Sequence, residues 1–226
     1  MSLTSLEFAF FVVVVWLLHT VVPPRFRWVP LLVASYVFYG VLGWQFTFIL
    51  AAVTAVNYLI GLAVGPGTAD SARRRSLLIL GTCAGLAPLV VLKYAVFALG
   101  SLDSLARALG MVGAATPVVQ LALPLGISFY SFQAVNYTID VYREKLPPER
   151  HFGRFATFVA FFPSVLCGPI GRATDLLQQY RQGGVITPGR VATGTQLILW
   201  GVFQKMVVAD RIAIYVNEVG PHPHHH

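Results

Sequence analysis

The chain is divided into apolar stretches of membrane-spanning length, separated by short breaks that contain proline, glycine or arginine. A helix needs roughly 20 mostly apolar residues to cross the hydrocarbon core of a bilayer. Because lipid offers no hydrogen-bond partners, the backbone of a crossing segment must satisfy itself, as a helix does. The pattern therefore predicts an all-α, polytopic integral membrane protein with about seven transmembrane or re-entrant helices.

Prolines and glycines predict where these helices stop. Pro23 and Pro24 end the first span, since proline lacks an N–H and blocks the preceding turn. The sixth span is short and contains Pro163 and the pair Gly168 and Pro169, which predicts a broken or re-entrant helix. The stretch 100–116 is a weaker candidate for a membrane span and is interpreted as a surface helix. Residues 172–190 are interpreted as a polar segment. The predicted spans are Leu6 to Val22, Trp28 to Trp44, Phe46 to Val64, Leu77 to Leu99, Val118 to Val141, Phe155 to Ile170 and Val191 to Val216.

Charge is scarce and lies mostly in the breaks. Only 11% of the 226 residues are charged, whereas soluble domains average about a quarter. The net charge of +7 comes from basic clusters between apolar runs, such as Arg73 to Arg75. Such clusters mark cytoplasmic loops. They argue for membrane lipid rather than nucleic acid as the partner, and they predict a bacterial inner membrane protein with its N-terminus outside.

No residue pattern predicts a metal site. Cys83 and Cys167 lie far apart in apolar surroundings, which is typical of small buried hydrophobic residues. The histidine-rich end, 220–226, is interpreted as a flexible tail, with a metal site or a partial tag as the alternatives. Residues 1–226 are interpreted as one membrane domain, expected to be a fragment of a longer protein.

The fifth span carries a stripe of polar residues. Tyr130, Gln133, Tyr137 and Asp140 are spaced by three and four residues, so they share one face of a helix, with Asn136 beside it. Two interpretations stay open. The stripe either lines a polar path through the membrane or holds helices together through hydrogen bonds.

A second cluster surrounds the predicted break. Pro163 and Pro169 remove backbone donors, and Gly168 allows a close backbone approach. Arg172 either grips a carboxylate or phosphate group or simply anchors the helix at the membrane edge. In the last span, Lys205 lies near a polar face of the predicted helix. This face indicates either a functional surface or an amphipathic helix at the membrane edge.

The motifs of soluble enzymes are missing. The chain has no G-x-S-x-G elbow, no phosphate-binding loop of the Walker type, no G-x-G-x-x-G and no H-E-x-x-H. Outside the tail, only His19 and His151 are available as a histidine base, and their contexts favour surface or interface positions.

Three blocks of the chain resemble successive blocks of the membrane-bound O-acyltransferase (MBOAT) family, in its bacterial branch similar to alginate O-acetyltransferase. The blocks are LPLGISFYSFQAVNYTIDVYR, FFPSVLCGPIGR and LILWGVFQKMVVADRIAIYV. The resemblance covers nearly the whole chain in order, and it corresponds to the N-terminal part of the family. It implies a ring of many helices around a funnel, and this funnel is thinned near the middle of the membrane.

The resemblance also implies an activity. An acetyl or similar acyl group would pass from a cytoplasmic thioester donor such as acetyl-CoA, a substrate rather than a bound cofactor, toward an exopolysaccharide such as alginate. A periplasmic acyltransferase partner often relays the group. The family's essential histidine lies in a later block that no position here matches, so this chain is expected to hold no catalytic residue and to be inactive alone. The funnel or substrate-path candidates are Tyr130, Gln133, Asn136, Tyr137, Asp140, Arg172 and Lys205, and the structural motif residues are Pro124, Gly126, Pro163, Gly168 and Pro169.

Two other functions fit the same pattern. A transporter or flippase subunit would share the broken helices, the polar stripe and the basic loops. It would move a solute or lipid without a thioester donor. A non-catalytic scaffold would recruit a partner protein through its helices and would keep that partner in the absence of a donor.

Overall fold

A computed structural model describes residues 6–65, 71–108, 126–168, 171–184 and 186–219. Over these ranges every regular element is a helix, which confirms the predicted all-α class. The elements are α1 (Leu6–Val21), α2 (Trp28–Leu42), α3 (Trp44–Val64), α4 (Ser71–Ala108), α5 (Ile127–Tyr142), α6 (Phe152–Ala160), α7 (Phe162–Cys167), α8 (Ala173–Gln182), α9 (Pro188–Phe203) and α10 (Asp210–Val219), with a 3₁₀ turn at Pro24–Phe26 and a π-helical segment at Gln204–Ala209.

Within the described ranges, two helices are long and apolar enough to cross a bilayer. They are α3, with 21 residues, and the first 22 residues of α4, Ser71–Leu92. Apolar side chains of α3 point outward, with Phe48 67% exposed and Leu59 63% exposed, as lipid-facing side chains do. These helices indicate a membrane protein, while the number of spans and the orientation of the N-terminus stay predictions.

Several boundaries differ from those predicted. Helix α4 runs without interruption to Ala108, so the weaker stretch after residue 100 begins as a continuation of α4. The segment expected to be merely polar contains α8, which buries Leu177 and Tyr180 on one face. The first part of the predicted fifth span, up to residue 125, lies outside the described residues, and α5 begins at Ile127 after Gly126.

The predicted break in the sixth span is confirmed. Helix α6 ends at Ala160, Phe161 has a non-helical backbone with φ −53° and ψ 103°, and α7 starts at Phe162. Pro163 lies in the first turn of α7. Proline is tolerated in the first turn because the N–H that it lacks would have no partner inside the helix.

Residues Val21–Gly183 form one compact unit, in which small residues let helices approach closely. A Cβ atom on Gly61 of α3 would lie 2.5 Å from the ring of Tyr137 on α5, and one on Gly85 of α4 would lie 2.7 Å from Val135. The hydroxyl of Thr138 donates to the side-chain oxygen of Asn57 at 3.3 Å between α5 and α3. Small residues and interhelical hydrogen bonds are the usual means of holding membrane helices together.

The second unit contains the described residues 6–20, 184 and 186–219. Thr187 caps the start of α9, and its hydroxyl accepts the N–H of Arg190 at 3.3 Å. The π-helical segment then brings residues five apart onto one face, and the amine of Lys205 lies 2.7 Å from both carboxylate oxygens of Asp210. The predicted last span is therefore helical, but it is not a regular α-helix throughout.

The close contact at Gly61 gives a testable consequence. Gly61→Ala places a methyl group against the fully buried ring of Tyr137, and overpacking of this kind costs about 1–3 kcal/mol. We expect a lower thermal unfolding midpoint for the chain in detergent. Gly40→Ala is the matched control, because Gly40 lies within α2 with no atom near its added Cβ. Equal midpoints for the two variants would contradict the packing described for α3 and α5.

Candidate functional site

Helix α5 turns most of the predicted polar stripe into the interior of its unit. Tyr130, Gln133 and Tyr137 are fully buried, and Asp140 is partly buried at the loop end, 3.6 Å from the amine of Lys145. Asn136 does not join them, because its side chain is exposed on the other side of the helix. The structure thus brings together three buried residues of the stripe along one face of α5.

The deep end of the stripe is a pair of tyrosines. The ring of Tyr130 meets the ring of Tyr39 on α2 edge to face, with centroids 6.2 Å apart. Among the described residues, neither buried hydroxyl has a hydrogen-bond partner. Gly126 precedes α5 with φ +73°, and a Cβ atom there would overlap Val165 of α7. This position therefore requires glycine for both its backbone conformation and the space beside it.

The middle of the stripe donates a hydrogen bond to the backbone of the broken helix. The amide nitrogen of Gln133 donates to the carbonyl of Phe158 at 2.7 Å. Phe158 is in the last turn of α6, where carbonyls lack a partner within the helix. On the other side of the break, the hydroxyl of Ser35 accepts the N–H of Phe162 at 3.2 Å. Side chains of α5 and α2 therefore replace the backbone hydrogen bonds that the break removes.

The side-chain oxygen of Gln133 is buried and has no hydrogen-bond partner within the described ranges. Gly171 lies beside the same side chain, because a Cβ atom there would be 3.6 Å from the amide nitrogen of Gln133. Gly171, just before α8, thus lies beside the middle of the stripe.

The loop end of the stripe is a network of hydrogen bonds around a buried carboxylate. The hydroxyl of Tyr137 accepts the N–H of Glu149 at 2.9 Å. The carboxylate of Glu149 is buried; it accepts the N–H at Nε of Arg181 at 2.6 Å and the N–H of His151 at 3.0 Å. The side chain of Arg181 is itself 36% exposed, so the ion pair lies at the edge of the unit. This network links α8 and the α5–α6 loop to the buried face of α5.

Sequence reasoning missed Glu149, Arg181 and Tyr39. Glu149 and Arg181 lie in segments dense with charge, which normally indicate a solvated surface, and the two are 32 residues apart. Tyr39 lies in the predicted second span among other aromatic residues. Only its contact with Tyr130 reveals a place in the buried cluster, and no local pattern signals that contact.

The other predicted residues have different surroundings. Arg172 is exposed and directly precedes α8. Lys205 belongs to the second unit, where it pairs with Asp210. Pro163 occupies the first turn of α7, and Gly168 follows the end of that helix and donates its N–H to the carbonyl of Ser164 at 3.1 Å. Pro124 and Pro169 lie outside the described residues.

The chemistry of the stripe is that of neutral hydrogen bonding. Phenols and an amide bind and orient polar groups but do not serve as bases near neutral pH. His151 is at the loop end, with its ring 4.8 Å from that of Trp28. In α8, burial raises the pKa of Tyr180, so its hydroxyl also stays neutral. Across the described ranges no group of three or more histidine, cysteine or acidic residues could hold a metal ion.

Comparison with curated proteins gives relatives with named activities. The chain is 37% identical over 196 residues to "Probable alginate O-acetylase" of Azotobacter vinelandii, a match that covers 87% of the chain and 39% of the relative. It is 38% identical over 191 residues to the protein of that name in Pseudomonas aeruginosa, covering 84% of the chain and 36% of the relative. It is 27% identical over 220 residues to "Peptidoglycan O-acetyltransferase" of Helicobacter pylori, covering 86% of the chain and 40% of the relative.

The chain spans about two fifths of the length of these curated relatives. No family model matches the chain. No solved structure matches it either.

The hydrogen bond at the broken helix predicts an effect on stability. Gln133→Leu keeps the approximate volume but leaves the Phe158 carbonyl without its donor, a loss of about 1–3 kcal/mol. We expect a lower thermal unfolding midpoint in detergent. Asn136→Leu, on the exposed side of the same helix, should change stability by about 0.5 kcal/mol or less. If both variants unfold at the wild-type temperature, Gln133 does not support the break.

Proposed function

Because the chain is a relative of the alginate O-acetylases of the membrane-bound O-acyltransferase family, we propose that it forms part of a membrane-bound O-acetyltransferase that acts on an extracellular glycan. The observation that carries this proposal is 37–38% identity to those enzymes over more than four fifths of the chain. Since the chain spans only part of each relative, the activity proposed is that of the complete protein. Within it, Val21–Gly183 would supply one side of the substrate path.

Buried groups without partners support a path beside the stripe. The hydroxyls of Tyr39 and Tyr130 and the side-chain oxygen of Gln133 are all buried and unpartnered within the described ranges. Buried polar groups in proteins are nearly always satisfied by protein, water or ligand. Three such groups close to a broken helix fit a wall that faces water or a polar substrate in the complete protein.

The proposed reaction is acyl transfer from a thioester to a hydroxyl. The acceptor oxygen attacks the thioester carbonyl, the new C–O ester bond forms, and the C–S bond breaks. A general base takes the proton of the hydroxyl, and the thiolate that leaves is protonated in turn. We propose that the base is a histidine in another part of the complete protein. The polar stripe of α5 would orient the thioester and the acceptor hydroxyl.

The donor and the acceptor are proposed on chemical grounds. An acetyl thioester such as acetyl-CoA is available only in the cytoplasm, and the relatives are named for polymers outside the inner membrane, alginate and peptidoglycan. We therefore propose a multi-pass protein of the bacterial inner membrane with its N-terminus outside. A periplasmic acyltransferase is the proposed partner that finishes delivery to the polymer.

Polymer acetylation in cells tests the proposal. The complete protein, expressed in a strain that lacks its own acetylase, should restore acetyl groups to the polymer. Gln133→Ala, Asp140→Asn and Arg172→Ala should each lower acetylation about tenfold or more if they shape the path. Arg75→Ala removes a similarly exposed arginine and should leave acetylation unchanged.

The amount of protein in the membrane must be equal for all variants. Wild-type acetylation by all three path variants would remove these residues from the path. No acetylation by the complete wild-type protein would contradict the enzyme, and donor-independent movement of a solute would favour a transporter.

A further inference from the structure

A cavity of about 430 Å³ lies between the loop that follows α5 and one face of α8. Lys145 and Pro147 line it from the loop, and Thr174, Gln178 and Arg181 line it from α8. The α8 residues are spaced by four and three positions, so they share one face of the helix. The two walls therefore present a cation each, together with hydroxyl and amide groups.

The loop that carries Lys145 is held in a fixed conformation. Glu144 adopts a left-handed backbone with φ +59°, and its carboxylate binds Arg74 of α4 at 3.0 Å. Arg74 also donates to the carbonyl of Tyr142 at 3.0 Å. The N–H of Lys145 donates to the carbonyl of Asp140 at 3.0 Å. Lys145 therefore projects from an ordered turn rather than from a free loop.

Both cations keep donors beyond their carboxylate partners. Lys145 is 3.6 Å from Asp140, a long contact, and its side chain is 56% exposed. Arg181 binds Glu149 through Nε, and a guanidinium has five N–H donors in a planar fork. Asp175 also lies in α8, where it accepts the hydroxyl of Thr174 at 3.0 Å. Lysine and arginine on opposite walls, with the amide of Gln178 beside them, suit a phosphate group.

We propose that this cavity binds the phosphate-bearing end of the acyl thioester donor, an inference that rests on the proposed acetyltransferase function. The volume falls within the range of ordinary ligand sites, about 300–1,000 Å³. Arg181 belongs to the cavity and to the buried network that reaches Tyr137 through Glu149. The donor would therefore dock where the polar stripe ends at the predicted cytoplasmic loop.

The test uses coenzyme A as the probe and the whole chain in uncharged detergent. Isothermal titration calorimetry should show saturable binding that weakens as salt increases. Lys145→Ala should weaken binding about tenfold, and Lys145→Arg should largely preserve it. Gln178→Trp, which fills the cavity from α8 without touching either ion pair, should weaken binding similarly. Circular dichroism melts establish that each variant is folded.

Arg143→Ala is the matched control for charge. Arg143 is exposed, lies two residues before Lys145 and does not line the cavity, so its removal should leave coenzyme A affinity unchanged. Equal weakening by Arg143→Ala and Lys145→Ala would show diffuse attraction and overturn the site. The absence of saturable binding would overturn it as well.

Nanodiscs separate the donor from a lipid headgroup, which carries the same phosphate chemistry. Coenzyme A should bind in phosphatidylcholine discs with and without phosphatidylglycerol. Loss of that binding when phosphatidylglycerol is present would identify the headgroup as the occupant and overturn the proposal. Normal acetyl transfer by the complete protein carrying Lys145→Ala would contradict the donor site in the cavity, but not the proposed function. Binding of coenzyme A in the cavity without any acetyl transfer would contradict the proposed function, but not the binding site.

Discussion

The hydrogen bond from Gln133 to the carbonyl of Phe158 joins the polar face of α5 to the broken helix of α6 and α7. A helix break inside an apolar environment exposes backbone groups that lipid cannot satisfy. Ser35 completes the arrangement by accepting the N–H of Phe162. The two hydrogen bonds from α5 and α2 supply partners for the backbone groups on either side of the break. The close packing at Gly126, beside Val165, then holds α7 against the start of α5.

Local patterns predicted the parts of this arrangement that depend on local chemistry. The length of the apolar stretches predicted the helices, Pro163 predicted the break, and the spacing of Tyr130, Gln133 and Tyr137 predicted their shared face. The pairing of Glu149 with Arg181 could not be predicted, since it depends on how two charged segments fold onto α5. Whether the stripe lines a path or holds helices also could not be decided from spacing. The structure shows Gln133 holding the break while its oxygen stays without a described partner.

The loop end of the stripe is where structure and proposed function meet. Glu149 and Arg181 tie α8 to Tyr137, and the same arginine lines the cavity proposed for the donor. A ligand that binds Arg181 would also affect the hydrogen bonds that link Arg181, Glu149 and Tyr137. The deep end, with Tyr39 and Tyr130, offers neutral hydroxyls rather than a base. The division suits a protein whose described residues bind and orient, while the base is proposed to come from elsewhere in the complete enzyme.

Transfer of a labelled acetyl group across a membrane tests the account most directly. The complete protein would be reconstituted in liposomes, with labelled acetyl-CoA on the side of Arg73 to Arg75, at the start of α4, and a glycan acceptor on the other. The account predicts label on the acceptor as an ester, in an amount that depends on the thioester donor. Label that never leaves the donor side, in liposomes whose protein is folded and correctly oriented, would contradict it.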